Sequence, residues 1–129
     1  MPQRLSNGTV AAGMLDHSKV EDKILICLRG ITAIIDKGVQ ARKAGAAGMI
    51  LTYDEADGNK VIRNTHALPA SHINYTYGLV LFEYYTSTRS PNAFITKPRT
   101  ELHTKPAPYT AQFSSRGPNL VESAILKAR

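Results

Sequence analysis

Ile24-Leu25-Ile26-Cys27-Leu28 and Gly48-Met49-Ile50-Leu51-Thr52-Tyr53, with Ile34 to Ala47 between them, decide the fold. The first string is short, apolar and β-branched, and Arg29-Gly30 closes it, so it reads as a buried strand. From Ile34 onward the period changes. Ile34, Ile35, Val39 and Ala46 fall near one face, while Lys37, Gln40 and Lys43 lie elsewhere. That spacing predicts a helix ending at Gly45 or Gly48. Gly48 to Tyr53 is again short and apolar, a second buried strand. Strand, helix and strand within about 30 residues specify a βαβ-like unit with parallel strands.

Working outward, Asp54 to Lys60 is a polar, glycine-containing loop and Val61 to Thr65 reads as extended. Leu68-Pro69-Ala70-Ser71-His72-Ile73 predicts a strand, which Pro69 confines to an edge or to its own beginning. Tyr77 to Thr86 predicts a second helix, capped by Asn74 or Thr76. Ala93 to Thr96 and Tyr109 to Phe113 read as short strands, separated by the stiff break Lys105-Pro106-Ala107-Pro108. Ser114 to Asn119 is turn-rich, and Leu120 to Arg129 reads as a short helix. No internal repeat or low-complexity tract interrupts this order.

The 129 residues are enough for one domain with a core. Apolar residues make up 43% and charged residues 20%, an ordinary globular balance. No apolar run approaches the roughly 18 residues of a membrane helix, so no membrane contact is expected. Met1 to Thr9 is polar and lacks the pattern of a signal peptide. The net charge of +6 raises the question of nucleic acid. The basic residues are scattered and not interleaved with aromatics, so no nucleic-acid partner is expected. Cys27, the only cysteine, sits inside an apolar run and reads as a small buried hydrophobe. Asn7-Gly8-Thr9 and Asn74-Tyr75-Thr76 fit the N-x-[ST] pattern, which makes Asn7 and Asn74 candidate glycosylation sites.

No catalytic set assembles from the spacing. None of His17, His66, His72 and His103 has the i, i+4 spacing of a zinc-protease helix. His66 and His72 are six apart, which on a strand shares a face and with a carboxylate's help could hold a metal. Hydrogen-bonded loop or surface histidines are the plainer reading, and no metal or cofactor is assigned. Asp54, Glu55 and Asp57 cluster, but an EF-hand loop would need a Glu where Thr65 stands. Ser114 and Ser115 lie outside any G-x-S-x-G elbow. Gly45-Ala46-Ala47-Gly48 ends a helix rather than opening one, so it is no phosphate loop. The residues alone describe an α/β domain suited to binding or scaffolding.

An ordered set of strings goes further. It runs Gly13-Met14-Leu15-Asp16, Val20 to Gly30, Asp36-Lys37-Gly38, Ala44 to Leu51, His66-Ala67-Leu68-Pro69-Ala70, then Lys105 to Pro108 leading to Phe113-Ser114-Ser115-Arg116-Gly117-Pro118-Asn119. Together they resemble the protease-associated domain of plant subtilisin-like serine proteases and the first returning segment of the peptidase domain. The resemblance covers residues 10 to 126 or so. It implies an α/β (α+β) fold: a small mixed sheet or open barrel flanked by two helices. Residues 1–100 would be the protease-associated domain and 101–129 a piece of the subtilisin-like peptidase domain.

The same resemblance implies a lid-like insert that contributes to substrate access or to homodimer contacts. Its partners would be the parent's protein or peptide substrate and a second copy. The parent would be a secreted, glycosylated endopeptidase of the plant cell wall. Catalytic Asp, His, Asn and Ser of the family lie in strings such as Gly-His-Gly-Thr and Gly-Thr-Ser-Met, which this sequence does not contain. No catalytic residue carries over, and Ser114 and Ser115 match a structural loop. The contact candidates are His66, Leu68, Pro69, Ala70 and Ser71, with the Asp54 to Asn59 loop beside them. The family often has a Cys where Val10 stands; if that Cys pairs with the match of Cys27, the bond is lost here. The family's Ile-Leu-Lys-Pro-Asp becomes Ile125-Leu126-Lys127-Ala128-Arg129, and both ends read as truncated. The alternative is a stand-alone interaction module descended from a subtilase.

Overall fold

The computed structural model describes residues 13, 15–105 and 121. The chain divides into two compact units, Met1–Thr96 and Lys97–Arg129. The elements described below all lie in the first unit. They are α1 (His17–Val20), β1 (Ile24–Leu28), α2 (Ile34–Lys43), β2 (Gly48–Thr52), β3 (Ala70–Ile73) and α3 (Tyr75–Ser87). The strands form one open sheet in the order β1-β2-β3. The resemblance implied a mixed sheet; both pairings among the described residues are parallel.

The register explains the layering. Leu25 pairs with Met49, and Cys27 with Leu51. Alternation therefore puts Leu25, Cys27, Met49, Leu51 and Tyr53 on one face. All five are buried and form the core with Val20, Ala41 and Ala44. Burying this apolar set is the main force holding α2 on the sheet, at about 25 cal/mol per Å² of apolar surface. The other face carries Ile26, Ile50 and Thr52, next to α3. It is looser, and Ile26 and Ile50 are only half-buried.

The helix after β1 exists where the period placed it, but its buried side differs. Lys37, Gly38, Ala41 and Ala44 turn inward, and Ile35 is exposed. Small residues win this face because they let the helix approach the sheet closely. Lys37 joins them, 0% exposed, because its stem lies along apolar surface while Nζ donates to Leu28 O at 2.7 Å. Burial lowers the Lys37 pKa, and nearby Cys27 partly offsets the effect.

The helix stops at Lys43, short of the expected Ala47. Gly45 adopts φ +80°, Ala46 N donates to Ala41 O and Gly45 N to Arg42 O, both at 3.0 Å. These two bonds are the Schellman arrangement that satisfies the last carbonyls.

Three expectations downstream need correction. The strand at Leu68 begins only at Ala70, because Pro69 has no N–H and offers only its carbonyl, to Met49 N at 2.9 Å. Ala93 to Thr96, expected as a strand, joins no ladder. Ile95 instead lies over Gly48, where a Cβ would be 2.9 Å from its Cδ1. The second helix starts earlier than predicted, at Tyr75, with Asn74 Oδ1 accepting from Tyr77 N at 2.9 Å as its N-cap. Sequence reasoning missed α1, a single turn capped by Asp16. Among the described residues no helix is long and apolar enough to cross a membrane. The predicted strand at Tyr109 and the helix after Leu120 lie outside the described residues.

Candidate functional site

Two neighbouring features around β3 stand out. The first is a polar cluster on the α2 face. Tyr53 follows β2, is buried, and its hydroxyl accepts from Ile62 N at 2.9 Å and donates to Ile62 O at 3.0 Å. One buried phenol thus holds a segment that has no strand partners. His72, paired in register with Leu51, points its Nδ1 at the same hydroxyl at 3.4 Å. His72 Nε2 meets His66 Nε2 at 2.7 Å. The expected shared face is therefore real contact, although His66 lies in a loop.

His66 is held from behind by α2. A Cβ on Gly38 would lie 2.7 Å from His66 Nδ1, so only glycine fits there. That Nδ1 is buried without a hydrogen-bond partner. One residue on, Ala67 O accepts from Arg42 Nη1 at 3.0 Å. Burial lowers the pKa of both imidazoles. The second cause for His66 is repulsion from His72; for His72 the Ile62 backbone offsets part of the effect. Both rings are therefore neutral at pH 7. Among the described residues no group of three His, Cys, Asp or Glu comes together to hold a metal. The pair has no third ligand of that kind.

Beyond Tyr53, Arg29 lies 5.7 Å from the ring centroid and pairs with Asp57 of the acidic loop. This anchors the Asp54 to Asn59 loop to the end of β1.

The second feature is on the α3 face. A groove of about 490 Å³ runs between β3 and α3, lined among others by Ser71, Ile73, Tyr77, Val80, Tyr84 and Phe94. Tyr77 is 66% exposed, Val80 59% and Phe94 86%. An apolar helix side left this open is unusual on a lone domain. Of the five contact candidates, Ser71 lines the groove and His66 belongs to the histidine pair. Leu68 and Ala70 pack partly against the core, and Pro69 is exposed. Asn74 caps α3, and Thr76 Oγ1 donates to Asn59 Oδ1 at 2.9 Å. Asn7 lies outside the described residues.

Sequence reasoning missed the groove and the Tyr53 hub. The groove had a signal: Tyr77, Val80 and Tyr84 share i, i+3, i+7 spacing. Tyr53 had none, since its partners are backbone atoms of Ile62.

Residues 4–81 match the family model described as PA domain, more than half of the chain. The chain belongs to the PA domain family. The described part of this PA domain, an open α/β sheet with helices, agrees with the resemblance read from the motifs. The chain is also similar to subtilisin-like proteases of Arabidopsis thaliana. It is 55% identical to subtilisin-like protease SBT5.4 over 115 residues, covering 89% of this chain and 15% of that protein. Identity to SBT5.3 is 40% over 115 residues, with the same coverage. Identity to SBT1.7 is 39% over 123 residues, 95% of this chain and 16% of that protein. The PA domain chain thus spans about 15% of the length of the curated relatives it matches.

Proposed function

We propose that this PA domain is the non-catalytic segment of a secreted, glycosylated subtilisin-like serine endopeptidase, and that it serves substrate access or homodimer contact. One observation carries the reading. The ordered match to subtilisin-like proteases extends over nearly nine-tenths of the chain, yet covers a small fraction of each protease. A Ser-His-Asp mechanism needs three groups in hydrogen-bond reach and oxyanion donors. The motifs that carry them in the family are not in this sequence.

The open apolar side of α3 supports the contact half of the proposal. Tyr77, Val80 and Tyr84 flank a mainly apolar groove whose wall also carries the hydroxyls of Ser71 and Thr96. Aromatic and aliphatic anchors beside a concave surface are what protein contacts use. Two measurements test it. The purified chain should not hydrolyse casein; hydrolysis blocked by a serine-directed inhibitor would overturn the non-catalytic half. In sedimentation equilibrium the chain should self-associate, and Val80→Asp should weaken that at least tenfold. If it does not self-associate, competition by added chain against the intact parent's peptide hydrolysis tests the access role. Failure of both removes the contact half.

A further inference from the structure

We propose that the His66–His72 pair is an acid-released latch: neutral, it pins residues 61–69 between α2 and β3, and protonation frees them. Tyr53 has a single hydroxyl proton, already donated to Ile62 O. The proton between it and His72 Nδ1 must therefore come from the imidazole. His72 Nε2 is then bare, and His66 Nε2–H donates to it across 2.7 Å. His66 Nδ1 keeps only a lone pair, which agrees with its burial beside Gly38 without a partner. The network assigns both tautomers.

A further proton has no good place in this arrangement. On His72 Nε2 it would face the His66 N–H head-on. On His66 Nδ1 it would make a charged donor buried against α2 with no acceptor. Reversing the pair ends with the same orphaned donor. Opening the loop solves both problems, because water then solvates each ring.

The surrounding charges do not rescue the protonated pair. Tyr53 of the β2 end touches His72, and Arg29 over its ring is itself paired with Asp57. On α2, Arg42 is bonded to Ala67 O and Lys37 sends its Nζ to Leu28 O. Arg29 and Arg42 carry donors only and offer no acceptor to a further proton. Among the described residues no carboxylate forms a salt bridge with either imidazole.

The sign follows from linkage. Burial holds both rings below their ordinary 6.5, with repulsion from His72 adding to the effect on His66. The released rings titrate near 6.5, so below that pH the released state binds more protons. The latch is intact above about 6.5 and weakens as pH falls toward the depressed values. Each proton taken up raises the opening constant about tenfold per pH unit. His66 and Leu68 are among the contact candidates that the resemblance implies, apart from the α3 groove. If that stretch serves the proposed contact role, acid would release it; only this consequence rests on the proposed function.

Amide hydrogen exchange by NMR on the full 129-residue chain, corrected for intrinsic rates, tests the latch. Between pH 6.5 and 5.5 the opening constant at Ile62 should rise about fivefold if one ring takes up a proton on release and further if both do, with Leu51 unchanged. In His66→Gln the amide can turn from donor to acceptor, so the rise should flatten. A pH-independent Ile62, or a wild-type slope in His66→Gln, overturns the proposal. If that variant does not fold, imidazole titration in the wild type decides: values at or above 6.5 for both rings overturn it. Self-association does not enter this readout, so latch and contact surface fail separately.

Discussion

Gly78→Ala is the sharpest test of how α3 is held. In an exposed helix interior, replacing glycine by alanine stabilises by about 1 kcal/mol, because less backbone entropy is lost. Here the new Cβ would lie 2.6 Å from Thr52 Oγ1 and 3.2 Å from Thr52 Cβ. Thr52 is 1% exposed and sits on β2, the central strand, bonded on both sides. It has nowhere to retreat, so α3 must lift. Gly78 is the buried residue of α3, the point where helix and sheet touch most closely. Overpacking such a contact costs about 1–3 kcal/mol. The two effects leave anything from no net change to a loss of about 2 kcal/mol. Urea titration of the variant should show a midpoint no higher than the wild type's, at unchanged slope. Thr52→Ala in the same chain removes the obstructing hydroxyl, and the double-mutant cycle should return a coupling of about 1 kcal/mol. A higher midpoint for Gly78→Ala alone would refute the close-contact reasoning, since α3 would then be an ordinary surface helix.

Asn74→Ala should cost about 1 kcal/mol by removing the α3 cap, measured by the same titration. Asn74→Asp keeps a capping oxygen but removes the glycosylation pattern. In protein made by a secreting eukaryotic host, it should lose any glycan mobility shift at that site without losing stability. Burial raises the Cys27 thiol to about 11, with a small opposing effect of Lys37, and the residue is 1% exposed. Folded protein should therefore resist thiol-specific labelling at pH 8, and labelling should track unfolding in urea. Fast labelling in the absence of urea would contradict the buried position. Gly38→Ala should displace His66 and raise Ile62 exchange at pH 7.5, where the wild-type latch is closed.

The helix after β1 separates what composition can say from what packing decides. Its existence and period were legible from Ile34 to Lys43. Its inward face was not, because hydrophobicity ranks Ile35 above Lys37. The sheet instead selected Gly38, Ala41 and Ala44 for their size, and Lys37 came with them because Leu28 O could accept a hydrogen bond from its Nζ. Ala93 to Thr96 failed for a related reason. An extended apolar string becomes a strand only if an edge accepts its backbone, and Ile95 packs on Gly48 instead.

By itself the sequence determined the βαβ core, the burial of Cys27 and the PA domain family, and it narrowed the α3 cap to Asn74 or Thr76. These rest on local period, local hydrogen bonding and ordered motifs, all written along the chain. Only the tertiary structure decided that His66 and His72 touch, that Tyr53 holds Ile62, and that α3 leaves its apolar side open. Each of those depends on which surfaces meet across the sheet, and the chain's linear order does not encode that distance.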